Sequence, residues 1–298
     1  MRRKRVGIRV LVAGAGICAT AVAASGVTKA SAATGSTPRA YRIVESAVFT
    51  APKNADSFGH VTCPPTKSGV TRRPQSGGVR FDSTSLAANL GDSYPMSDGV
   101  SWGAHVNNTS TSDATFTVWA VCAKPKRGYV QVESAAVANG AHHQDTGLAQ
   151  CPVGTKVLGG GARSLSAAAT TSLNQDMNSS YPTTDGSTYG WQVAMNNGGS
   201  SSLSFNVWVI CSNYSVSKTG YFLLRADPLV NHAGTQMSIG ATCPSGLSIL
   251  GGGVYSSATS TNVNINSTYP ATSTTWQNVE NNADSSDHAL APAMICAG

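Results

Sequence analysis

The stretch CPVGTKVLGGGA at residues 151–162 recurs as CPSGLSILGGGV at residues 243–254, and an altered form, CPPTKSGVTRRPQSGGVR, occupies residues 63–80. A fixed block that returns along a chain marks one supersecondary unit used several times, and here its flanks recur with it. Each copy opens with a tyrosine-led stretch: Tyr41 to Val48, Tyr129 to Val137, Tyr221 to Leu229. After the Cys-Pro block come a Tyr-Pro step (Tyr94, Tyr181, Tyr269), a tryptophan (Trp102, Trp191, Trp276) and an Asn-Asn pair (Asn107 and Asn108, Asn196 and Asn197, Asn281 and Asn282). A second cysteine, Cys122, Cys211 or Cys296, lies twenty residues beyond each tryptophan. The organisation read from this is a signal peptide over 1–32, an extension over 33–40, and repeats over 41–124, 129–213 and 221–298. Copy one departs from the pattern at Pro65 and lacks the Leu-Gly-Gly-Gly string.

Within a copy the pattern is that of strands. Residues 115–122 read TFTVWAVC and residues 204–211 read SFNVWVIC, rich in β-branched and aromatic side chains. Counting in twos from the cysteine places Phe116, Val118 and Ala120, or Phe205, Val207 and Val209, on one inward face. Trp119 and Trp208 fall on the other face, as candidates for binding a sugar or protein partner or for burial between repeats beside Val121 and Ile210. Copy three has Ala293 beside Pro292 here, which predicts an edge strand. No stretch after the leader carries apolar residues at helical spacing. The expected fold is all-β: three tandem disulfide-stapled sandwich-like repeats, or alternatively a single pseudo-threefold β-prism.

Seven cysteines include Cys18 in the leader, leaving six in a chain bound for an oxidising compartment. Six allow fifteen pairings. One pair per repeat makes the simplest set Cys63–Cys122, Cys151–Cys211 and Cys243–Cys296. The leader reading rests on the charged residues Met1 to Arg5, an apolar run from Val6, and the small residues Ala30, Ser31 and Ala32. Cleavage after Ala32 removes Arg2, Arg3, Lys4, Arg5, Arg9 and Lys29, so twenty basic residues become fourteen against fourteen acids. A near-neutral mature chain, whose one basic cluster is the linker group Lys124, Lys126 and Arg127, argues against nucleic-acid binding. No membrane partner is expected once the leader is gone.

The string Cys-Pro-x-Gly-x-x-x-Leu-Gly-Gly-Gly, followed by Tyr-Pro, Trp, Asn and a closing strand ending in Cys, resembles modules of exported actinobacterial proteins. A more distant resemblance is to the vitelline membrane outer layer protein family, which repeats a Cys-Pro-x-Gly step three times in a β-prism with much shorter repeats. The resemblance implies a module, not an activity.

Candidate chemistry is sparse. The triplets Gly159–Gly161 and Gly251–Gly253 precede no helix and no lysine of a phosphate loop, and read as sites of close approach by a backbone or by the repeat tryptophan. The three repeat tryptophans read as core, and the Asn pairs as positive-φ turn residues. His142 and His143, adjacent on a strand, point apart and share no metal. Asp176 and Asp185 are not echoed in the other copies, and there is no Gly-x-Ser-x-Gly elbow. The expectation is a secreted protein without catalytic residues, metal or cofactor, recognising an extracellular glycan or protein array through several copies at once. The alternative is an adaptor subunit of an extracellular assembly.

Overall fold

Alternating apolar residues, glycines at points of close approach, and connections rich in Ser, Thr and Asn give strands throughout. The computed structural model describes residues 37–165, 173–214 and 220–298. The leader, its cleavage positions and Cys18 lie outside the described residues, among which there is no helix. Copy one forms β1 (Arg42–Glu45), β2 (Phe49–Ala51), β3 (Ala55–Thr62), β4 (Arg73–Asp82), β5 (Ala88–Pro95), β6 (Ser101–Asn108) and β7 (Ala114–Ala123). Copy two forms β8 (Val130–Glu133), β9 (Val137–Asn139), β10 (His143–Gln150), β11 (Lys156–Ser164), β12 (Gln175–Thr184), β13 (Tyr189–Asn197) and β14 (Leu203–Ser212). Copy three forms β15 (Phe222–Arg225), β16 (Leu229–Asn231), β17 (Thr235–Thr242), β18 (Ser248–Ser256), β19 (Val263–Pro270), β20 (Thr275–Asn282) and β21 (His288–Ala297).

These strands make three seven-stranded antiparallel sheets, each shared by two copies. The orders are β1-β7-β4-β19-β20-β17, β3-β6-β5-β11-β14-β8 and β10-β13-β12-β18-β21-β15, with β2, β9 and β16 added beside β7, β14 and β21. Every copy thus divides into a four-stranded and a three-stranded half-sheet, which face each other as a sandwich. Trp102, Trp191 and Trp276 are fully buried between the halves, each indole N–H donating to Ser93, Ser180 or Thr268. Cys63–Cys122, Cys151–Cys211 and Cys243–Cys296 tie the halves together, with Cα separations of 5.6, 5.7 and 5.8 Å. In the chain-entropy picture, loops of this size are worth about 4 kcal/mol each.

The sandwiches are joined cyclically: β4 pairs β19, β11 pairs β5 and β18 pairs β12. The first and third copies therefore touch in the same way as sequence neighbours, giving a pseudo-threefold arrangement of sandwich-like repeats. The glycine triplets make it possible. A β-carbon on Gly159 would lie 2.4 Å from that of Ser76, and one on Gly251 would meet Leu158 O at 2.2 Å and Ser76 Cβ at 3.1 Å, so these positions converge at the axis. β-carbons on Gly77, Gly160 and Gly252 would strike the copy's own tryptophan at 2.4 Å. On Gly78, Gly161 and Gly253 they would sit 1.8, 1.9 and 1.9 Å from a backbone oxygen of the neighbouring copy. Copy one keeps the device after all: Gln75-Ser76-Gly77-Gly78 stands in the register of Leu-Gly-Gly-Gly, and Ser76 occupies the axis and donates to Leu250 O.

A second cyclic set comes from the leading tyrosines. Tyr41, Tyr129 and Tyr221 donate to Ile249 O, Pro74 O and Val157 O of the preceding copy, at 2.8, 2.7 and 2.7 Å. Burial raises all three phenol pKa values, Tyr129 to about 12, so they remain donors at any physiological pH.

Two local expectations are corrected. β21 is not an edge, because it pairs β18 on one side and β15 with β16 on the other. Pro292 is tolerated because it faces the gap between β15 and β16. In the other copies the equivalent Val118 and Val207 send their N–H to the hydroxyls of Ser46 and Ser134. Copy three has Ala226 instead of that serine, so a proline removes a donor that would have no acceptor. Pro292→Val is expected to lose about 1–3 kcal/mol, and adding Ala226→Ser to recover most of it, in urea melts. Equal losses in the single and double variants would refute this.

The asparagine pairs are not positive-φ turn residues; that role falls to Asn54, His142 and Gly234. All six asparagines end strands and are fully buried. The second of each pair pins its own copy: Asn108 Nδ2 reaches Ala51 O and Ser112 O, Asn197 reaches Asn139 O and Ser201 O, and Asn282 reaches Asn231 O and Ser286 O. The first reaches the next copy: Asn107 to Gln175 O, Asn196 to Val263 O, Asn281 to Ala88 O, at 2.8–2.9 Å. The amide geometry satisfies buried carbonyls where the strands diverge, which aliphatic side chains could not do.

Candidate functional site

Neighbouring copies stay in β-register only briefly. Each inter-copy ladder has one bridged pair, Val79 with Thr268, Ala162 with Ser93, or Val254 with Ser180. Beyond it a side chain takes over as acceptor: Phe81 N donates to Ser267 Oγ, Ser164 N to Asp92 Oδ2, and Ser256 N to Ser179 Oγ. Where the strands part, a cleft opens beside the Tyr-Pro tyrosine. Between copies three and one it measures about 430 Å³ and includes Arg80, Gln236, Asn266, Ser267, Tyr269 and Val279. Between copies two and three it measures about 110 Å³ and is built from Gln144, Asn178, Ser179, Tyr181, Ala194 and Tyr255, the matching positions.

Trp119, paired with Gly78 of β4, borders the seam of copies three and one, and Trp208, paired with Gly161 of β11, borders that of copies one and two. Both are half-buried. The Trp119 ring lies 5.7 Å from Tyr269 of copy three, and its N–H donates to Thr117 Oγ1. The Trp208 N–H is buried and has no hydrogen-bond partner. Val121 and Ile210, on the same faces, are fully buried, Val121 in a cluster with Leu247, Ile249 and Trp276 of copy three. The tryptophans are therefore part glue and part rim. Sequence reasoning missed the tyrosine and arginine positions at the seams. Arg163 lies over Tyr94 at 5.5 Å, and Arg225 lies over Tyr181 and Tyr255 at 5.1 and 5.3 Å. The recurrence of the Tyr-Pro step is the signal in the sequence that marks these tyrosines.

Comparison with protein families finds no matching family model, and comparison with curated proteins finds no match.

Among the described residues no group of three His, Cys, Asp or Glu side chains could hold a metal, and no helix is long and apolar enough to cross a membrane. His142 stands in a turn and His143 pairs with Asp145 at 3.1 Å. At the seam of copies one and two, Asp92 Oδ1 accepts from the backbone N–H of His105 and lies 2.8 Å from its Nδ1. Burial pushes the His105 pKa down, but the Asp92 hydrogen bond and charge outweigh it and leave it raised. This pair clasps the seam, since Asp92 also holds Ser164 of copy two.

Two buried carboxyls lie away from the clefts. Burial raises Asp176 to about 7 against the Asn196 hydrogen bond, and Glu280, where copies one and two have Val106 and Met195, to about 7 against the Asn231 and Ser256 hydrogen bonds and the His288 charge. The folded state holds these protons at a pH where the unfolded chain has released them. Their stabilisation is therefore complete below pH 4 and declines as pH rises to about 7. Glu280→Gln is expected to flatten this slope and to gain on the order of 3 kcal/mol at pH 8 but little at pH 4. Unfolding free energies measured across pH check it; an unchanged slope would count against it.

Proposed function

We propose that this chain is a secreted, non-catalytic recognition protein that binds a repetitive extracellular surface, with a cell-wall glycan as the favoured target. The observation that carries the reading is the cyclic repetition of seams, each bearing a tyrosine and an arginine beside amide and hydroxyl groups. Rings of this kind pack on the apolar faces of sugars, while amides and hydroxyls exchange hydrogen bonds with their edges. A scaffold locked by three disulfides suits an oxidising exterior, in keeping with the leader read from residues 1–32. Presenting related sites on one rigid body lets weak contacts add on a polymer through effective concentration. Retention on purified cell walls and signal on a glycan array are the expected results. If both are negative at high micromolar protein, the reading falls.

A second reading is an adaptor subunit that receives an added strand. Its support is that β1, β8 and β15 lie at the ends of their sheets, each hydrogen-bonded to a single sheet partner. An adaptor would leave culture fluid in a complex far above its own mass, whereas a free binding protein would not.

A further inference from the structure

The three seams use equivalent positions but are filled differently. At the seam of copies one and two, Phe58 and His105 occupy the space with their rings 4.8 Å apart, and Arg163 closes over Tyr94. At the seam of copies two and three the strand positions carry the small residues Thr146, Ser179 and Ala194, but Tyr181 and Tyr255 meet edge-on at 5.5 Å under Arg225. At the seam of copies three and one the same positions are Ser238, Ser267 and Val279, so no ring stands where Phe58 does, and Arg80 stands where Tyr255 does at the second seam. This third cleft is the 430 Å³ one. Asp82, Ser83 and Thr84 also line a second hollow of about 510 Å³ next to it, which reaches Asp113.

We propose that this groove, from the Trp119–Tyr269 pair past Arg80 to Thr84, is a binding site for a neutral oligosaccharide, and that it is the seam kept open for ligand. The inference rests on the recognition reading above and narrows it to one site. The aromatic pair offers a ring face, Val279 an apolar floor, and the Gln236 carbonyl oxygen with the Thr84 hydroxyl polar groups for sugar hydroxyls, the Gln236 amide nitrogen being held by Ser83 O and Asn281 Oδ1. Arg80 pairs with Asp82 at 3.0 Å, so this stretch of the rim has no net charge to attract a polyanion. Two adjoining hollows of about 430 and 510 Å³ have room for a short sugar chain rather than a single small ion.

The experiment measures binding of the tetrasaccharides of glucose and of N-acetylglucosamine to the mature chain by calorimetry and tryptophan fluorescence. Ser238→Phe supplies at this seam the ring that Phe58 supplies at the first, and Thr146→Phe does the same at the second. Thr84→Trp, at an exposed loop position, blocks the groove without touching the seam. At least one tetrasaccharide is expected to bind, at least about tenfold more weakly to Ser238→Phe and Thr84→Trp, and unchanged to Thr146→Phe. The proposal is overturned if neither tetrasaccharide binds at millimolar concentration, or if both blocking variants bind like the parent. If the parent and the blocked variants are retained equally on purified cell walls, the groove is wrong and the wider reading stands. If the parent is not retained on walls and binds no tetrasaccharide or arrayed glycan, both fall.

Discussion

Gly161→Ala is expected to be among the most damaging single substitutions in the chain, costing roughly 3 kcal/mol or more. The added β-carbon would lie 1.9 Å from Ser93 O, and the obstacle is backbone, so no side-chain rotation can relieve it. Relief would require moving β11 away from β5 and opening the seam between copies one and two. Gly78→Ala and Gly253→Ala should behave alike, because Thr268 O and Ser180 O stand in the same place. Gly140→Ala is the control, since its nearest neighbour, His143 Cβ, is at an ordinary 3.5 Å. That change should stay within about 0.5 kcal/mol of the parent. Urea midpoints of the oxidised proteins decide the matter. A loss below 1 kcal/mol for Gly161→Ala would mean that the seam yields and does not hold the copies together.

The second large effect concerns the ring closure. Residues 37–214, comprising copies one and two, retain two disulfides but lose β18 and β19, the partners of β12 and β4. Two inner strands would become open edges, and Val121 would lose its cluster with Leu247, Ile249 and Trp276. This fragment is expected to aggregate or remain unfolded, although each of its copies is complete in sequence. A circular permutant that begins at residue 220, ends at residue 214 and joins residue 298 to residue 37 by a short linker should fold with near-parent stability. The join is short because Ser248 lies beside both ends: its hydroxyl bonds Thr37 at 3.4 Å and it stands opposite Ala297 in the sheet. Circular dichroism and gel filtration of both proteins test the idea. A monomeric, cooperatively melting fragment would show that the copies are independent after all.

Much of this architecture was legible in the linear chain because the code for it is local. Period-two patterning placed Phe116, Val118 and Ala120 inward, and all three are fully buried. The twenty-residue spacing from tryptophan to cysteine marked a sandwich core, and Trp102, Trp191 and Trp276 lie in it. The misreadings share one cause, which is that a local motif was assigned a local purpose. Asparagine favours turns in short peptides, yet Asn107, Asn196 and Asn281 satisfy carbonyls in the next copy. Proline signals an edge, yet Pro292 stands opposite a gap that exists because Ala226 replaces a serine. The candidate site was less legible still. Trp119 was singled out correctly as lying off the core face, but Tyr269, Arg80 and Gln236 come to it from another copy or another strand.

The sequence by itself determined the strand class, the threefold repetition, and which side chains of a copy face its own core. Those features depend on neighbours a few residues away and on the fixed alternation of a strand. The tertiary structure alone decided that half of each sandwich continues into the next copy's sheet, that the third copy closes onto the first, and that the clefts at two of the seams differ in size. These outcomes depend on contacts at ångström range between residues far apart in the chain, such as Ser76 with Leu250, 174 positions away. A glycine shows in the sequence only as a missing side chain, and what fills its place is fixed when the sheets pack.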